Sequence, residues 1–177
     1  EEAGNDTKPN LGMRGVKSER TTEMTVLVDG IPLSPAPYGH PGLSLFPFTM
    51  ERAWAVDVIR SGYATRYGPN NVVGVINFLT PPIPATPMAS ERIRFAGDDY
   101  RSFYTVAGGT WGDFGVIVED VRKSGDTYRD NGSFSVRSRG FKASWRTSDT
   151  SRLLFQYDVY RDESRLAGGL SDADYEK

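Results

Sequence analysis

The chain lacks cysteine altogether and has a single histidine, His40, among its 177 residues. Without cysteine there can be no disulfide, no thiolate metal site and no cysteine nucleophile. A lone histidine seldom builds a transition-metal site, so no resident metal is predicted. The sequence also lacks a Gly-x-Ser-x-Gly elbow and a phosphate-binding loop. An enzyme is therefore the least favoured class, and neither catalytic residues nor a cofactor is predicted.

The chain also lacks a charge of one dominant sign and any long hydrophobic run. Its 21 basic and 23 acidic residues are interspersed and give a formal net charge of −2, which disfavours nucleic acid as a partner. No window approaches the roughly 20 consecutive apolar residues of a membrane helix. The mean hydropathy of −0.46 suits a soluble protein, but it also suits membrane strands, whose hydrophobicity only alternates.

Three short strands are predicted in the first half of the chain. Residues 26–32, VLVDGIP, indicate a hairpin around an Asp-Gly turn. Residues 53–62, AWAVDVIRSG, predict a strand with little exposed face, because apolar residues occupy both parities. Residues 66–80, RYGPNNVVGVINFLT, predict a tight turn followed by an apolar strand that stops at Pro81.

A proline-rich segment, residues 81–87, separates this half from a region of alternating strands. Apolar residues at 141, 143 and 145, and again at 153, 155, 157 and 159, predict strands with one apolar and one polar face. Such strands fit a lipid-facing wall around a wet lumen or one sheet of a soluble sandwich. A change of parity after residue 136 predicts a bulge near Arg139 and Gly140. Turns are predicted at residues 111–113 and 131–132.

Some acidic residues are candidates for a catalytic acid or for calcium ligands, but their sequence context does not favour either role. Asp29 precedes Gly30 and is more simply a turn former than a catalytic acid. The pairs at residues 98–99 and 172–174 lack the spacing of a calcium-binding loop, so solvated loops are predicted there.

The order of these motifs resembles the plug domain of TonB-dependent outer-membrane receptors. The residues that carry the resemblance are the hairpin, the Arg-x-Gly at 60–62, the Tyr-Gly at 67–68 and the Gly-Val-Ile-Asn strand at 74–77. A closer resemblance is to ferric citrate receptors. It is carried by GNDT at 4–7, Arg14-Gly15, VLVDGIPL, APYGHPGLSL at 36–45, RYGP and GGLSDADY at 168–175.

The resemblance implies an α+β plug domain with a small mixed sheet, followed by antiparallel strands of a transmembrane β-barrel that is incomplete in this chain. Its implied organisation is a plug at residues 1–80, truncated at its N-terminus, a proline-rich connection at 81–90, and the first barrel strands and loops at 91–177. The implied activity is the import of a ferric chelate, ferric citrate in the first place. The alternatives are a receptor for another siderophore or a small anion and, in a different class, a soluble β-rich interaction domain. The implied partners are the TonB protein of the inner membrane and outer-membrane lipid. The iron(III) chelate is transported cargo rather than a cofactor.

Two arginines, Arg14 and Arg60, match plug motifs whose arginines pair with barrel glutamates in the family. Guanidinium groups pair bidentately with carboxylates where water is scarce. The resemblance therefore implies an ionic lock between plug and barrel at these positions. The chain departs from the family pattern at Ser61 and Val73, where glycine is usual, and this puts the local backbone geometry in doubt.

Four residues are implied to contact the ligand, because their loops correspond to the family's ligand-facing apex. They are Arg20, Thr21, Tyr38 and His40. An anionic chelate whose iron is already coordinated requires cations and hydrogen-bond donors around it. Glu19 and Glu23 add negative charge to the first of these loops, which counts against an anionic ligand there.

Overall fold

The computed structural model describes residues 24–33, 46–60, 62–67, 73–126 and 131–165. The described residues form two β-sheets and two short 3₁₀ helices, Met50–Arg52 and Gly62–Tyr67. None of the helices in these ranges has the length and apolar character needed to cross a membrane. The strands are β1 (Met24–Val28), β2 (Ile31–Pro32), β3 (Ala55–Ile59), β4 (Gly74–Leu79), β5 (Met88–Phe95), β6 (Arg101–Trp111), β7 (Phe114–Gly125), β8 (Phe134–Ser148) and β9 (Ser151–Ser164).

The first sheet is mixed and has the strand order β2-β1-β4-β3. β1 and β2 form the predicted hairpin, and its turn residues Asp29 and Gly30 have φ values of 50° and 82°. Two successive residues with positive φ are what a tight hairpin turn with the right twist requires. β4 lies parallel to β1 and antiparallel to β3, at the centre of the sheet. The predicted apolar strand before the double proline is therefore confirmed, and it is buried along almost its whole length.

Both faces of the first sheet are covered by apolar side chains. On one face Val26, Ile76 and Phe78 pack with Phe46 and Phe48. On the other face Leu27 and Val75 pack against Ala64, partly buried Tyr67 and partly buried Ile59. Because β1 and β4 contribute to both clusters, each apolar residue of these strands has a partner whichever way it points.

The prediction that β3 has little exposed face is wrong. β3 lies at an edge of the first sheet, and Val56 and Val58 are 50% and 42% exposed, as is the preceding Trp54 at 65%. An apolar run indicates that a strand can be buried on both faces. It does not indicate whether the strand occupies the centre of a sheet or its edge, which depends on pairing with distant segments.

The second sheet is an antiparallel meander with the order β5-β6-β7-β8-β9. The predicted turn between β6 and β7 is confirmed, with Gly112 at a φ of 58°, and Asn131 has a positive φ of 61° in the second predicted turn. Neither β5 nor β9 pairs with a further strand in the described part of the chain, so the sheet is not closed there. A small mixed sheet followed by an antiparallel sheet confirms the expected fold class.

The two faces of the second sheet differ as the alternation predicts. Tyr104, Ile117, Val121 and Val136 are buried on the face toward the first sheet. The opposite, outward face exposes a set of large apolar side chains: Phe114, Val118, Trp145, Leu153, Phe155, Tyr157 and Val159. The sheet therefore has an apolar outer surface and an inner surface that receives the first sheet.

The predicted bulge near Arg139 and Gly140 is wrong. β8 pairs with β7 and β9 in unbroken register through this region, and the irregularity lies at residues 146–148, beside the turn to β9. The parity changes because apolar residues switch faces: Phe134 and Val136 are buried inward, whereas Trp145 points outward. A strand whose apolar side chains point inward at one end and outward at the other produces this pattern without an extra residue.

The segment between the sheets runs through residues 81–87, and β5 begins at Met88, inside the range predicted for the connection. Polar side chains of the second sheet hold it: Thr110 Oγ1 donates to the Pro84 carbonyl at 2.7 Å, and Lys142 Nζ donates to that of Pro81 at 3.4 Å. Ile83 packs against the inner face of the second sheet. The segment is thus attached to the sheet that follows it.

Candidate functional site

The two sheets meet through charged side chains, and Arg52 is at the centre of this contact. Arg52 ends the first 3₁₀ helix, and its side chain is only 3% exposed. Its Nη2 lies 3.2 Å from Glu119 Oε2 on β7 and 2.5 Å from Asp158 Oδ1 on β9, and its Nη1 donates to Ser138 Oγ on β8 at 3.2 Å. One guanidinium therefore ties the first sheet to three neighbouring strands of the second. We call these four residues the Arg52 cluster.

A glycine on β8 provides the space for this guanidinium. A Cβ added at Gly140 would lie 2.7 Å from Arg52 Cζ, closer still to Arg52 Nη2, and 3.1 Å from Glu119 Oε2. Such distances are shorter than van der Waals contact, so any other residue at 140 would displace the arginine. The close approach requires glycine here, although its backbone pairing is regular.

The electrostatics of the cluster favour a charged arginine. Burial alone would lower the pKa of Arg52, but the Glu119 carboxylate and then Asp158 outweigh it, so the pKa lies above its ordinary value. Glu119 also accepts a 2.9 Å hydrogen bond from the Tyr104 hydroxyl. The carboxylate that faces the arginine is thus oriented by a second partner, as buried ion pairs require.

The neighbouring residue Glu51 makes a second ion pair with β7, in which the charges are reversed: the acid belongs to the 3₁₀ helix and the base to the strand. Its Oε2 lies 3.6 Å from Lys123 Nζ, and both side chains are at most 5% exposed. The Tyr100 hydroxyl donates to Glu51 Oε1 at 3.4 Å. Glu119 and Lys123 lie four residues apart on the same face of β7. Glu51 and Arg52, the adjacent acid and base of the first 3₁₀ helix, therefore meet a complementary base and acid on β7, and this sets the position of the first sheet along the second.

The hairpin turn makes a third contact, through Asp29. Its carboxylate accepts hydrogen bonds from the Thr80 backbone N–H at 2.9 Å and the Thr80 hydroxyl at 2.6 Å. Across the interface it lies 3.0 Å from Lys142 Nζ and accepts from Gln156 Nε2 at 3.0 Å. Burial would raise the pKa of Asp29, but the bonds from Thr80 and the Lys142 ammonium outweigh it and hold the pKa below its ordinary value. Asp29 is thus a turn residue, as predicted, and also an interface residue.

A cavity of about 370 Å³ lies beside the Arg52 cluster, between the first 3₁₀ helix and strands β5 to β7. Its lining combines Arg52, Arg92 and Tyr104 with the apolar side chains of Trp54 and Met88. Arg92 lies over the Tyr104 ring at 5.7 Å. Within the described ranges, no group of three or more histidine, aspartate or glutamate residues is arranged to hold a metal ion. The arrangement can hold the two sheets together through buried ion pairs.

Most of the predicted site residues fall outside the described ranges. These are Arg14, Arg20, Thr21, Tyr38 and His40. Arg60 is described: it follows β3, is exposed, and forms no ion pair with another described residue. The lock and ligand assignments therefore stay predictions, since five of these six residues lie outside the described ranges.

The sequence analysis missed Glu51 and Arg52. Two signals were available in the sequence. An adjacent acid and base come just before the apolar strand β3, and Glu119 and Lys123 lie four residues apart on β7, where Ile117 and Val121 are the apolar inward residues. Charges at inward positions of a strand indicate a partner that approaches from that side. Nothing in the sequence, however, identifies that partner as Arg52.

Comparisons with known proteins agree on one family. Residues 1–75 match the family model of the TonB-dependent Receptor Plug Domain. The crystal structure of the ferric citrate transporter FecA in its unliganded form is similar over 98% of this chain and 27% of its own, with a TM-score of 0.81 and 31% identity. The siderophore receptor PirA from Acinetobacter baumannii shares the fold over 82% of this chain and 25% of its own, with a TM-score of 0.63 and 15% identity.

A curated relative is the vitamin B12 transporter BtuB of Vibrio vulnificus (strain YJ016), which is 28% identical over 133 residues. That alignment covers 67% of this chain and 21% of the relative. The chain thus spans about a fifth to a quarter of the relatives that it matches. The chain belongs to the TonB-dependent receptor family, with a plug domain followed by an antiparallel sheet that matches part of the barrel of such receptors.

Proposed function

We propose that this chain is part of an outer-membrane receptor that binds a ferric chelate, ferric citrate in the first place, and imports it with energy from TonB. The observation that carries the proposal is the likeness to FecA, which extends over 98% of the chain at 31% identity. The likeness to other siderophore receptors is weaker, with TM-scores of 0.59 to 0.63 and identities of 15% to 20%.

In this proposal the ligand is held by donors and cations of the first domain. Arg20 pairs with a citrate carboxylate, Thr21 donates a hydrogen bond, and Tyr38 and His40 contact the chelate from the neighbouring loop. A chelate with satisfied iron coordination is recognised through its outer oxygens, for which these side chains are suited. No step of transport requires covalent chemistry.

The interface between the sheets supports a mechanism of release. For a ligand to pass, the first sheet must loosen from the second, and the charged contacts at Asp29, Glu51 and Arg52 are what it must break. Buried ion pairs resist such loosening because an unpaired buried charge costs several kcal/mol. In the proposal, Arg14 and Arg60 add a second ionic lock with glutamates elsewhere in the receptor, and force transmitted through TonB breaks these pairs.

The test is a binding titration with the full-length receptor that contains this chain, purified in detergent and followed by tryptophan fluorescence. Ferric citrate is expected to quench the fluorescence saturably, while iron-free citrate at the same concentration is expected to do so weakly. Replacement of Arg20 by Gln is expected to weaken ferric citrate binding by about 10-fold to 100-fold, since one charge-assisted hydrogen bond contributes roughly 1.5–3 kcal/mol. Binding of ferric enterobactin with no response to ferric citrate would overturn the citrate assignment and leave an iron chelate as substrate.

The vitamin B12 transporter among the relatives makes a cobalamin the second candidate. Cyanocobalamin in the same titration separates the two substrates, because it is a large corrinoid that carries no citrate-like cluster of carboxylates. Saturable binding of cyanocobalamin alone would replace the ferric chelate by a corrinoid.

A further inference from the structure

The outward face of the second sheet carries a row of like charges. Arg122, Arg137 and Arg161 lie directly opposite one another on β7, β8 and β9. Neighbouring strands are only about 4.8 Å apart, and like charges in directly opposite positions destabilise a sheet. This row therefore costs stability unless an anion lies against it. With Arg139, which lies two residues from Arg137 on the same face, these residues form what we call the arginine patch.

One carboxylate offsets part of this charge. Asp120 accepts from Arg122 Nε at 2.7 Å and from Arg139 Nε at 2.9 Å, and lies 3.7 Å from Arg137 Nε. Four arginines against one aspartate leave a formal excess of three positive charges. Nearby, Arg101 lies 3.8 Å from Asp99, Glu163 lies on the same face of β9, and Glu91 lies two strands from Asp120. An excess of one positive charge remains even when all of these residues are counted.

The guanidinium groups of the patch are accessible. The side chains of Arg122, Arg137 and Arg139 are 63%, 44% and 53% exposed. A cavity of about 580 Å³ opens beside them, and its lining includes Arg101, Arg122 and Arg137. Planar guanidinium groups with free donors are the preferred partners of phosphate oxygens.

The arginine patch lies on the same face of the sheet as the apolar outward surface, at the end of the strands away from the tight turns. A row of large side chains, Trp111, Phe114, Trp145 and Leu153, crosses the same face beside the tight turns. Arg122, Arg137 and Arg161 each lie eight residues along their strand from this row. Eight residues span about 27 Å of strand, or about 20 Å at a tilt of roughly 40°. The apolar band of a membrane wall is about 25 Å tall, and long arginine side chains extend toward its boundary. With the row of large side chains at one boundary of this band, the guanidinium groups reach the opposite boundary.

We propose that the arginine patch binds the phosphate of an anionic membrane lipid, whose acyl chains lie on the neighbouring apolar surface at Val118, Phe141 and Tyr157. The proposal rests on the proposed membrane location of this sheet. The lipid phosphate supplies negative charge in addition to that of Asp120, and the apolar part of the lipid continues onto the apolar surface beside the row. A free phosphate would satisfy the charges but would gain nothing from that surface.

The experiment is native mass spectrometry of the full-length receptor in micelles, titrated with phosphatidylglycerol or phosphatidylcholine of identical acyl chains. Wild-type receptor is expected to bind phosphatidylglycerol at least 10-fold more tightly than phosphatidylcholine. A basic residue at an anionic lipid surface contributes about five-fold in affinity, so Arg137→Gln with Arg161→Gln is expected to weaken phosphatidylglycerol binding about 25-fold. Phosphatidylcholine binding is expected to stay the same, which shows that the variant remains folded.

A matched control pair exists on the same two strands. Arg146 and Arg152 are also directly opposite each other on β8 and β9, but at the turn end of the sheet. Arg146→Gln with Arg152→Gln is expected to leave lipid binding unchanged. Arg137→Lys with Arg161→Lys, which keeps both positive charges but loses the planar guanidinium groups, is expected to recover most of the affinity for phosphatidylglycerol.

Two outcomes would overturn the proposal. One is equal affinity of the wild-type receptor for both lipids. The other is displacement of phosphatidylglycerol by millimolar inorganic phosphate, which would make the patch a free-anion site. The ferric citrate titration on the same samples is a separate readout: its failure in the wild type would refute the proposed substrate and leave the lipid result standing.

Discussion

The Arg52 cluster allows a quantitative test of what holds the two sheets together. Replacing Arg52 by Met keeps an unbranched apolar stem but leaves Glu119, with a side chain only 2% exposed, without its cation. Breaking a buried pair by removing one partner costs about 3–5 kcal/mol. Asp158 adds less because its side chain is 38% exposed and water can replace the arginine there. We therefore expect about 3 kcal/mol, near the lower end of this range.

The assay is amide hydrogen exchange of β1 and β4 in the full-length receptor, because these strands belong to the sheet that Arg52 attaches. A loss of about 3 kcal/mol corresponds to exchange faster by about two powers of ten when exchange requires separation of the sheets. Arg146→Met is the control: its pair with Asp113 at 3.7 Å is half-exposed, so a change of at most about 1 kcal/mol is expected.

A second substitution separates the ion pair from simple packing. Adding Glu119→Gln to Arg52→Met removes the stranded carboxylate, so the double variant is expected to be more stable than Arg52→Met alone, by about 1–3 kcal/mol. Unchanged exchange in Arg52→Met, or additive losses in the double variant, would refute the reasoning that a buried charge pair joins the sheets.

Three further predictions follow from the same structure. Gly140→Ala is expected to accelerate exchange of the first sheet nearly as much as Arg52→Met, because its Cβ would displace the guanidinium, whereas Gly97→Ala, with open space around it, is expected to be neutral. The lowered pKa of Asp29 predicts stabilisation that is complete above its unfolded pKa of about 3.9 and is lost as pH falls through the folded value. Unfolding of wild type and Asp29→Asn should therefore differ at pH 7 and converge at strongly acidic pH, and a difference independent of pH would contradict this. Leu27→Ala, at a fully buried position, is expected to cost about 2–5 kcal/mol in a denaturant titration, and a cost below 1 kcal/mol would contradict the packing.

Local signals account for the parts of the fold that were predicted correctly. The hairpin at residues 29–30 follows from an Asp-Gly pair between apolar runs, and β4 follows from a β-branched run that ends at a double proline. The alternation at residues 153–159 correctly indicated an apolar outward face, since successive side chains of a strand must point to opposite sides. Each of these signals lies within about ten residues.

The errors arose where a local pattern has two tertiary explanations. Apolar residues at both odd and even positions of β3 are compatible with a central or an edge strand. The strand lies at the edge because it pairs with β4 and with no other described strand. The parity change before Phe141 is compatible with a bulge or with a change in which face of the strand carries the apolar residues, and the unbroken register shows the latter. The patterns report which side chains are apolar, and they do not report what covers them.

By itself, the sequence determined the strands of the first sheet, the alternating strands β8 and β9, the tight turns, the apolar outward face and the resemblance to the family, because these depend on neighbouring residues and on motif order. The tertiary structure decided that Arg52 meets Glu119 and Asp158 in the space left by Gly140. It also placed Arg122, Arg137 and Arg161 in one row. These residues lie up to about a hundred positions apart, and the strand register that joins them results from the packing of whole sheets, which no local pattern encodes.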